Sequence, residues 1–373
     1  MTADTTNNIP ATRTPAGLQN SRELFIRRSG LGLACAVIYA ALVGSVALIL
    51  GRGGWTLIDA LMLLCFSVAA PWSVLGFVNA LIGAWLCWRP SRELLFDPAR
   101  SAPDAVRIPT VAMVMTIRNE DPLRAFLRLR TVKESLDASG GAESISYFIL
   151  SDTSDEGTAA DEEAAFSEWM ACETSGPPRL FYRRRPVNTG YKAGNLADFC
   201  KTHGGRFDYF VPLDADSLMT AQTVQGMIGV MEAFPKIGIL QSLVVGLPSS
   251  SAFARVFQFG MRHGMRSYTL GCTWWSGDCS QFWGHNAIVR LKPFLRHCRL
   301  NDLPGGPPWG GPVLSHDQIE AALMRRAGYE VRVIASESGS YEENPPTILE
   351  FMRRDRRWCR VICNIRPCFP PRA

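Results

Sequence analysis

The sequence has no C-x-x-C pair and no H-E-x-x-H, and its five histidines (His203, His263, His285, His297 and His316) are scattered along 373 residues. Those absences argue against a zinc site of ordinary ligand spacing. Eleven cysteines are present, but several of them, such as Cys35, Cys65 and Cys87, lie inside apolar runs. They read as reduced thiols filling a core, not as a disulfide scaffold. No block of five or six like charges occurs and the formal charge of +5 is mild, so a nucleic-acid partner gains no support. Anionic small substrates or lipid headgroups suit this charge equally well. With 47% apolar residues, the chain is long enough for two or three structural units with a real core.

Charge is missing altogether from Leu31 to Leu50, "LGLACAVIYAALVGSVALIL", a stretch matching the ~20 residues a helix needs to cross a bilayer. A second apolar stretch, Thr56 to Trp88, carries only Asp59 and contains Pro71, a kink that membrane helices tolerate. With the turn "GRGGW" between them, residues 31–88 read as two transmembrane helices. They are flanked by a cytoplasmic tail at 1–30 and a linker or interfacial segment at 89–106. A cleaved leader is the rival reading, but the long preceding tail and the second stretch do not fit its layout. Arg22, Arg27, Arg28, Arg89 and Arg92 lie outside the pair and only Arg52 between, so positive-inside bias puts both ends in the cytoplasm. Trp55, Trp72, Trp85 and Trp88 are candidate interface anchors.

Beyond Pro109 the pattern changes to short β-rich runs, "VAMVMTI", "ISYFILS", "RLFYR", "YFVPLD", "IGILQSLVV" and "YEVRVI", alternating with helical segments such as Pro122 to Leu136 and Ala159 to Met170. Alternation of this kind predicts an α/β domain over 107–359 with a mostly parallel sheet. Ligands of such sheets sit at the carboxyl ends of the strands. Asp152 follows "YFIL" and Asp214 follows "YFVPL", both at that edge. The Asp214-x-Asp216 turn suits a hard divalent cation, Mg2+ or Mn2+, held by oxygen ligands. An Asx-turn in which both aspartates cap backbone groups is the plain alternative.

Seven segments taken in order, "TIRNED", "SDTSDE", "NTGYKAGNL", "LDADS", "WGHNAIVR", "LSHDQIEAALMRRAGYEV" and "RRDRRWC", resemble the processive family 2 glycosyltransferases, the clan of cellulose and hyaluronan synthases. Within the clan they are most similar to the branch that makes osmoregulated periplasmic glucans. The likeness runs from about Arg107 to Cys359 and includes the two preceding spans. It implies a GT-A-like (Rossmann-like) domain on the cytoplasmic side of a bacterial inner membrane, in a multi-pass protein. It also implies a UDP-glucose donor, a divalent metal, inversion at the anomeric carbon and growth of a β-linked glucan. Acyl carrier protein and a periplasmic glucan-biosynthesis protein are the partners it implies.

Carried over by position, the resemblance makes Asp317 the catalytic base. Thr116, Glu120, Asp152, Lys192, Asp214 and Arg357 become donor-binding residues, with Asp214 and Asp216 on the metal. Trp358, Trp283, Gly284 and His285 become acceptor-binding residues. Each has a plainer reading beside it. Lys192 is also an ordinary first-turn surface lysine. Ser315 and Gln318 spell a capping box around Asp317, and cap and base are compatible. "TILEFMRRDRRW" also reads as an amphipathic helix at a bilayer surface, and "WGH" as packing. His316 stands where much of the clan has glutamate and carries no assigned role. "PGGPPWGGPV" (Pro304 to Val313) looks like a mobile cover. After Cys359 the likeness stops, and 360–373 reads as an atypical tail of a shortened chain. Two further functions therefore stay open: a non-processive nucleotide-sugar-binding fragment, and a lipid-linked sugar synthase.

Overall fold

The computed structural model describes residues 21–88, 108–140, 142–173, 179–306 and 310–365. The expected linker at 89–106 lies outside them, as do parts of both tails and the centre of the Pro304–Val313 loop. Two long apolar helices lead, α1 (Ser21–Leu50) and α2 (Leu57–Trp88), the latter with Pro71 inside it and a 3-10 turn, Gly51–Gly53, before it. Both are long and apolar enough to cross a membrane.

Helix α1 starts ten residues before the apolar run, and contact with α7 (Ala252–Ser276) accounts for this. Arg27 donates to the Trp274 carbonyl (2.9 Å), while Arg28 donates to those of Trp275 (3.1 Å) and Ser276 (2.7 Å) and pairs with Asp278. The last carbonyls of a helix lack intrahelical partners and carry its negative dipole end, so two guanidiniums suit them. Deeper in the contact, buried Asn79 of α2 accepts from Trp275 Nε1 at 2.9 Å. The backbones approach so closely there that a Cβ on Gly271 would lie 2.0 Å from the Asn79 carbonyl oxygen. Small residues are what allow such helix crossings.

The remaining elements form one mixed eight-stranded sheet among the described residues, in the order β3-β2-β1-β4-β7-β6-β8-β5. Strands β1 (Val111–Ile117), β2 (Ile145–Ser151), β3 (Leu180–Arg184) and β4 (Tyr209–Asp214) are parallel neighbours. Side chains alternate across β1: Val111, Met113, Met115 and Ile117 enter one core with α3 (Pro122–Ala138), α4 (Glu156–Cys172) and α6 (Ala221–Ala233). Ala112 and Val114 enter the other, with α5 (Tyr191–His203), α8 (Leu291–His297) and α9 (His316–Arg326). Coverage of both faces is why these strands read as unbroken apolar runs.

The other half of the sheet departs from the parallel expectation. β7 (Ala287–Arg290) is antiparallel to both β4 and β6 (Ile237–Gly246), and β5 (Leu218–Met219) is antiparallel to β8 (Glu330–Glu342). Two- and four-residue strands carry too little periodicity to be seen in a sequence. β8 extends eight residues beyond "YEVRVI", following β6 through register shifts, and delivers Glu342 to the ligand edge. Thr116 is in register with Asp214, and Ile117 with Ser151, so the carboxyl ends of β1, β2 and β4 lie side by side.

Candidate active site

Asp214 closes β4, and the turn after it is made by Ser217, whose N–H donates to the Asp214 carbonyl (3.0 Å) and whose Oγ accepts from the Asp214 N–H (3.0 Å). The serine does the capping that an Asx-turn would have assigned to the carboxylates. Lys192 is in the first turn of α5, which begins at the left-handed Gly190 (φ 69°). Its ammonium pairs with Asp214 and donates to the Gly284 carbonyl at 2.9 Å. Burial opposes ionisation of Asp214, but Lys192, with His285 and His316 beyond it, outweighs burial and holds the carboxyl down to about 2.

The neighbouring acids are in the opposite condition. Burial first, and then the Asp214 charge, push Asp216 up. Burial raises Glu120, with Asp214 and Asp216 adding to it against a backbone hydrogen bond from Arg118. Burial also raises Glu342, with Asp216 and Asp214 adding and His285 and Arg354 opposing. His285 Nε2 lies 3.6 Å from Glu342. Thr116 faces sideways and donates to the Leu213 carbonyl at 3.4 Å.

Asp152, at the end of β2, is matched completely. Arg185 Nε and Nη2 grip its two oxygens at 2.7 and 2.9 Å, and Nη1 holds Asp198 at 2.9 Å. Both side chains of the Asp152–Arg185 pair are under a tenth exposed.

Trp283, Gly284 and His285 are pinned by one buried side chain on β6. Gln241 Oε1 accepts from the Trp283 N–H (2.9 Å), and its Nε2 donates to the carbonyls of His285 (3.0 Å) and Asn286 (3.2 Å). Asn286, at φ 50°, ties the segment to β8 through Ser340 Oγ and the Tyr341 carbonyl. Across Gly284 lies the start of α9. Ser315 Oγ donates to Asp317 Oδ1 at 2.7 Å and makes no cap bond, and Gln318 donates to the Phe282 carbonyl. The expected capping box therefore does not form, because Ser315 (φ −97°, ψ 67°) turns its hydroxyl onto Asp317. Asp317 and Lys192 thus flank the same glycine.

Helix α10 (Ile348–Ile365) places the terminal motif differently. Arg357 is exposed and Trp358 is 55% exposed. Arg354 turns toward the site, over the rings of Phe257, Phe351 and Trp358 and near enough to Glu342 to act on its ionisation.

Residues 209–372 match the family model described as glycosyl transferase family group 2. Over those residues the chain carries a domain of that family. It is 38% identical to the glucans biosynthesis glucosyltransferase H of Rhodopseudomonas palustris (strain TIE-1), over 90% of this chain and 46% of that protein. It is 42% identical to the protein of the same name from Pseudomonas putida (strain W619), over 80% of this chain and 35% of that one. The chain thus spans less than half the length of these relatives. A mannosyltransferase of Pyrobaculum calidifontis, solved in complex with GDP-Man and Mn2+, shares the fold of the family 2 domain. Its TM-score is 0.51 at 18% identity, covering 76% of this chain and 72% of that one. The GT-A-like architecture expected from the motifs is thereby established.

Among the described residues of the family 2 domain, no three His, Cys, Asp or Glu side chains gather closely enough to hold an ion unaided. The donor set still suits a divalent cation. Desolvation raises Asp216, Glu120 and Glu342, with the Asp214 charge adding to all three and Asp216 adding to Glu120 and Glu342, and a cation relieves such repulsion. Substrate phosphates would complete a Mg2+ or Mn2+ shell.

Three participants escape motif reading: Arg185, Gln241 and Glu342. Gln241 left a trace, as a polar Gln-Ser step inside the apolar run "IGILQSLVV". Glu342 left none, because the extension of β8 depends on its pairing.

Proposed function

We propose that the chain is an inverting, membrane-bound glucosyltransferase that takes glucose from UDP-glucose on the cytoplasmic side and extends a β-linked glucan backbone. One juxtaposition carries the reading: at a single sheet edge, Lys192, paired with Asp214, donates to the Gly284 carbonyl, and Asp317 borders the same glycine. A cation and acids suited to a leaving diphosphate therefore lie next to a carboxylate suited to an incoming hydroxyl. The names of the Rhodopseudomonas and Pseudomonas relatives support glucose as the sugar and glucan as the product. Helices α1 and α2, docked through Arg27, Arg28 and Asn79, support attachment to a membrane.

In this mechanism Asp317 takes the proton of an acceptor hydroxyl as its oxygen forms a bond to the anomeric carbon. The bond from that carbon to the phosphate oxygen breaks, and UDP departs with the electron pair. Attack opposite the leaving group inverts the configuration and needs no covalent enzyme intermediate. Lys192 stabilises the developing diphosphate charge by direct ion pairing. Asp214 and Asp216 would hold Mg2+ or Mn2+, which when bound would neutralise the diphosphate. Asp152, gripped by Arg185, keeps lone pairs for one more hydrogen bond, to the uracil N–H. Ser315 fixes the rotamer of Asp317.

The test is glucose incorporation from UDP-[14C]glucose by membranes carrying the full chain, with Mn2+ or Mg2+. Asp317→Asn should lower incorporation by about 10²–10⁴-fold. Undiminished incorporation in that variant removes the assignment. A polymeric product, as opposed to a single glycolipid, separates chain extension from lipid-linked sugar synthesis.

A further inference from the structure

His316 occupies a buried position in the site and the mechanism above gives it no task. It is 7% exposed, one residue before Asp317 in the first turn of α9. Its Nδ1 lies 3.0 Å from Glu320 Oε2, one turn further along, and Glu320 is 4% exposed. An ionised carboxylate can only accept, so this bond puts a proton on Nδ1 and fixes the plane of the ring. Burial disfavours the imidazolium, but Glu320 outweighs it and shifts the group upward, so Nε2 is also disposed to carry a proton.

Nε2 makes no hydrogen bond with any described residue. The ring lies against Gly284, the left-handed glycine (φ 77°) of the Trp283–His285 segment. A Cβ on Gly284 would sit 3.3 Å from Asp317 Cβ, 3.4 Å from His316 Cε1 and 3.5 Å from His316 Nε2. Glycine therefore keeps open a small space bordered jointly by His316 and Asp317. Gln241 and Asn286 hold its other wall rigid. A ring nitrogen with no partner among the described residues, held in a fixed plane beside Asp317, is open to a hydrogen bond with a ligand that enters this space.

A pyranose acceptor presents hydroxyls on adjacent carbons, about 3 Å apart, close to hydrogen-bonding distance. Two fixed polar groups side by side can therefore engage two neighbouring hydroxyls at once. Resting on the glucosyltransferase reading above, we propose that His316 selects the acceptor hydroxyl. Its Nε2–H binds one hydroxyl of the terminal acceptor sugar, so that the hydroxyl on the adjoining carbon meets Asp317. The linkage is then set by the pair His316–Asp317, with Glu320 and Gly284 as positioning residues. A site built to hydrogen-bond a particular hydroxyl discriminates well, because misplacing the sugar leaves a buried polar group unmatched.

The experiment uses the full chain in lipid nanodiscs with UDP-glucose, Mn2+ and a short β-glucan oligosaccharide, and reads acceptor KM, kcat and the linkage formed, by methylation analysis. UDP calorimetry on each variant checks that the donor side is intact. H316F should raise acceptor KM by about tenfold or more, the loss expected for one hydrogen bond to a charged group, and should yield more than one linkage. H316Q, whose side-chain amide replaces the Nε2–H donor, should restore a single linkage. H316N is too short and should not. If H316F does not fold, H316Q against H316N decides. G284A should weaken oligosaccharide binding while UDP binding persists. A wild-type chain that transfers glucose while H316F and H316N keep its acceptor KM and linkage overturns this inference alone. A wild-type chain that transfers no glucose removes the functional reading and this inference with it.

Discussion

Asp152 and Asp216 come from the same edge of one sheet, one just after β2 and the other two residues past the end of β4, and their surroundings differ. Asp152 is gripped through both oxygens by Arg185, whose remaining nitrogen holds Asp198. Asp216 faces the charges of Asp214 and the nearby Glu120 and Glu342, with His285 and Arg128 as partial relief. The first cluster is balanced in charge, and its ion pairs hold the loops after β2 and β3 together while leaving Asp152 lone pairs for a neutral hydrogen bond. The second has more carboxylates than counter-charges, and either protons or a bound cation would balance it. Strand-end position alone therefore does not distinguish a paired acid from one that faces other acids. The counter-charge supplied by the rest of the fold does.

The sharpest way to break this contrast is Arg185→Met. It leaves Asp152 buried and unpaired, and a charge orphaned in this way costs about 3–5 kcal/mol, to be read as a fall in the unfolding midpoint in detergent. An unchanged midpoint would mean that Asp152 is not balanced by this pair at all. Next is Lys192→Met, which removes the cation that keeps Asp214 ionised and that the proposed mechanism sets against the diphosphate. Glucose incorporation should fall by about 10²–10³-fold, the range for loss of one preorganised charge-stabilising group, with little change in unfolding.

The two clusters should also respond oppositely to added metal. Mn2+ at about 100 times its Kd should stabilise the native chain by about 2.7 kcal/mol, and the Asp216→Asn variant less. The sign with pH follows from the shifts. Asp216, Glu120 and Glu342 are raised in the folded state, so without metal their contribution falls as pH rises from the ordinary carboxylate range through their folded values. The cation, which favours the ionised forms, should help more at pH 7.5 than at pH 5. Asp214, held at about 2, contributes in the other sense: its stabilisation is present above the ordinary carboxylate range and lost as pH falls toward 2. Equal Mn2+ effects at the two pH values would contradict the unbalanced cluster. The smallest effect expected is from Asp216→Asn in metal-free protein, a gain of about 0.5–1 kcal/mol from relieved like-charge repulsion, whereas Asp152→Asn should only destabilise.

Legibility in the sequence followed the range over which each feature is decided. Strands β1, β2 and β4 and their terminal acids could be read because alternation and apolar runs report local burial on a two-faced sheet. The sequence puts the Asp214–Asp216 turn at the end of a strand, and β4 does end at Asp214, but the capping of that turn by Ser217 and its pairing with Lys192 are not visible, since Lys192 is 22 residues away. The extension of α1 ahead of its apolar run is not legible, because Arg27 and Arg28 look like flanking charges until the carbonyls of α7 are set beside them. Ser315 and Gln318 matched a cap motif and made other bonds, since tertiary partners competed for the same atoms.

By itself the sequence determined that two apolar helices precede an α/β domain, and which carboxylates end its strands, because periodicity and the absence of charge act over a few neighbouring residues. Which carboxylates are paired with a cation of the chain and which face other acids, the arrival of Glu342 along β8, and the meeting of Lys192, Gly284, His316 and Asp317 were decided only by tertiary structure. Electrostatic balance at a buried site is a sum over groups far apart in the chain, and only folding brings them within reach of one another.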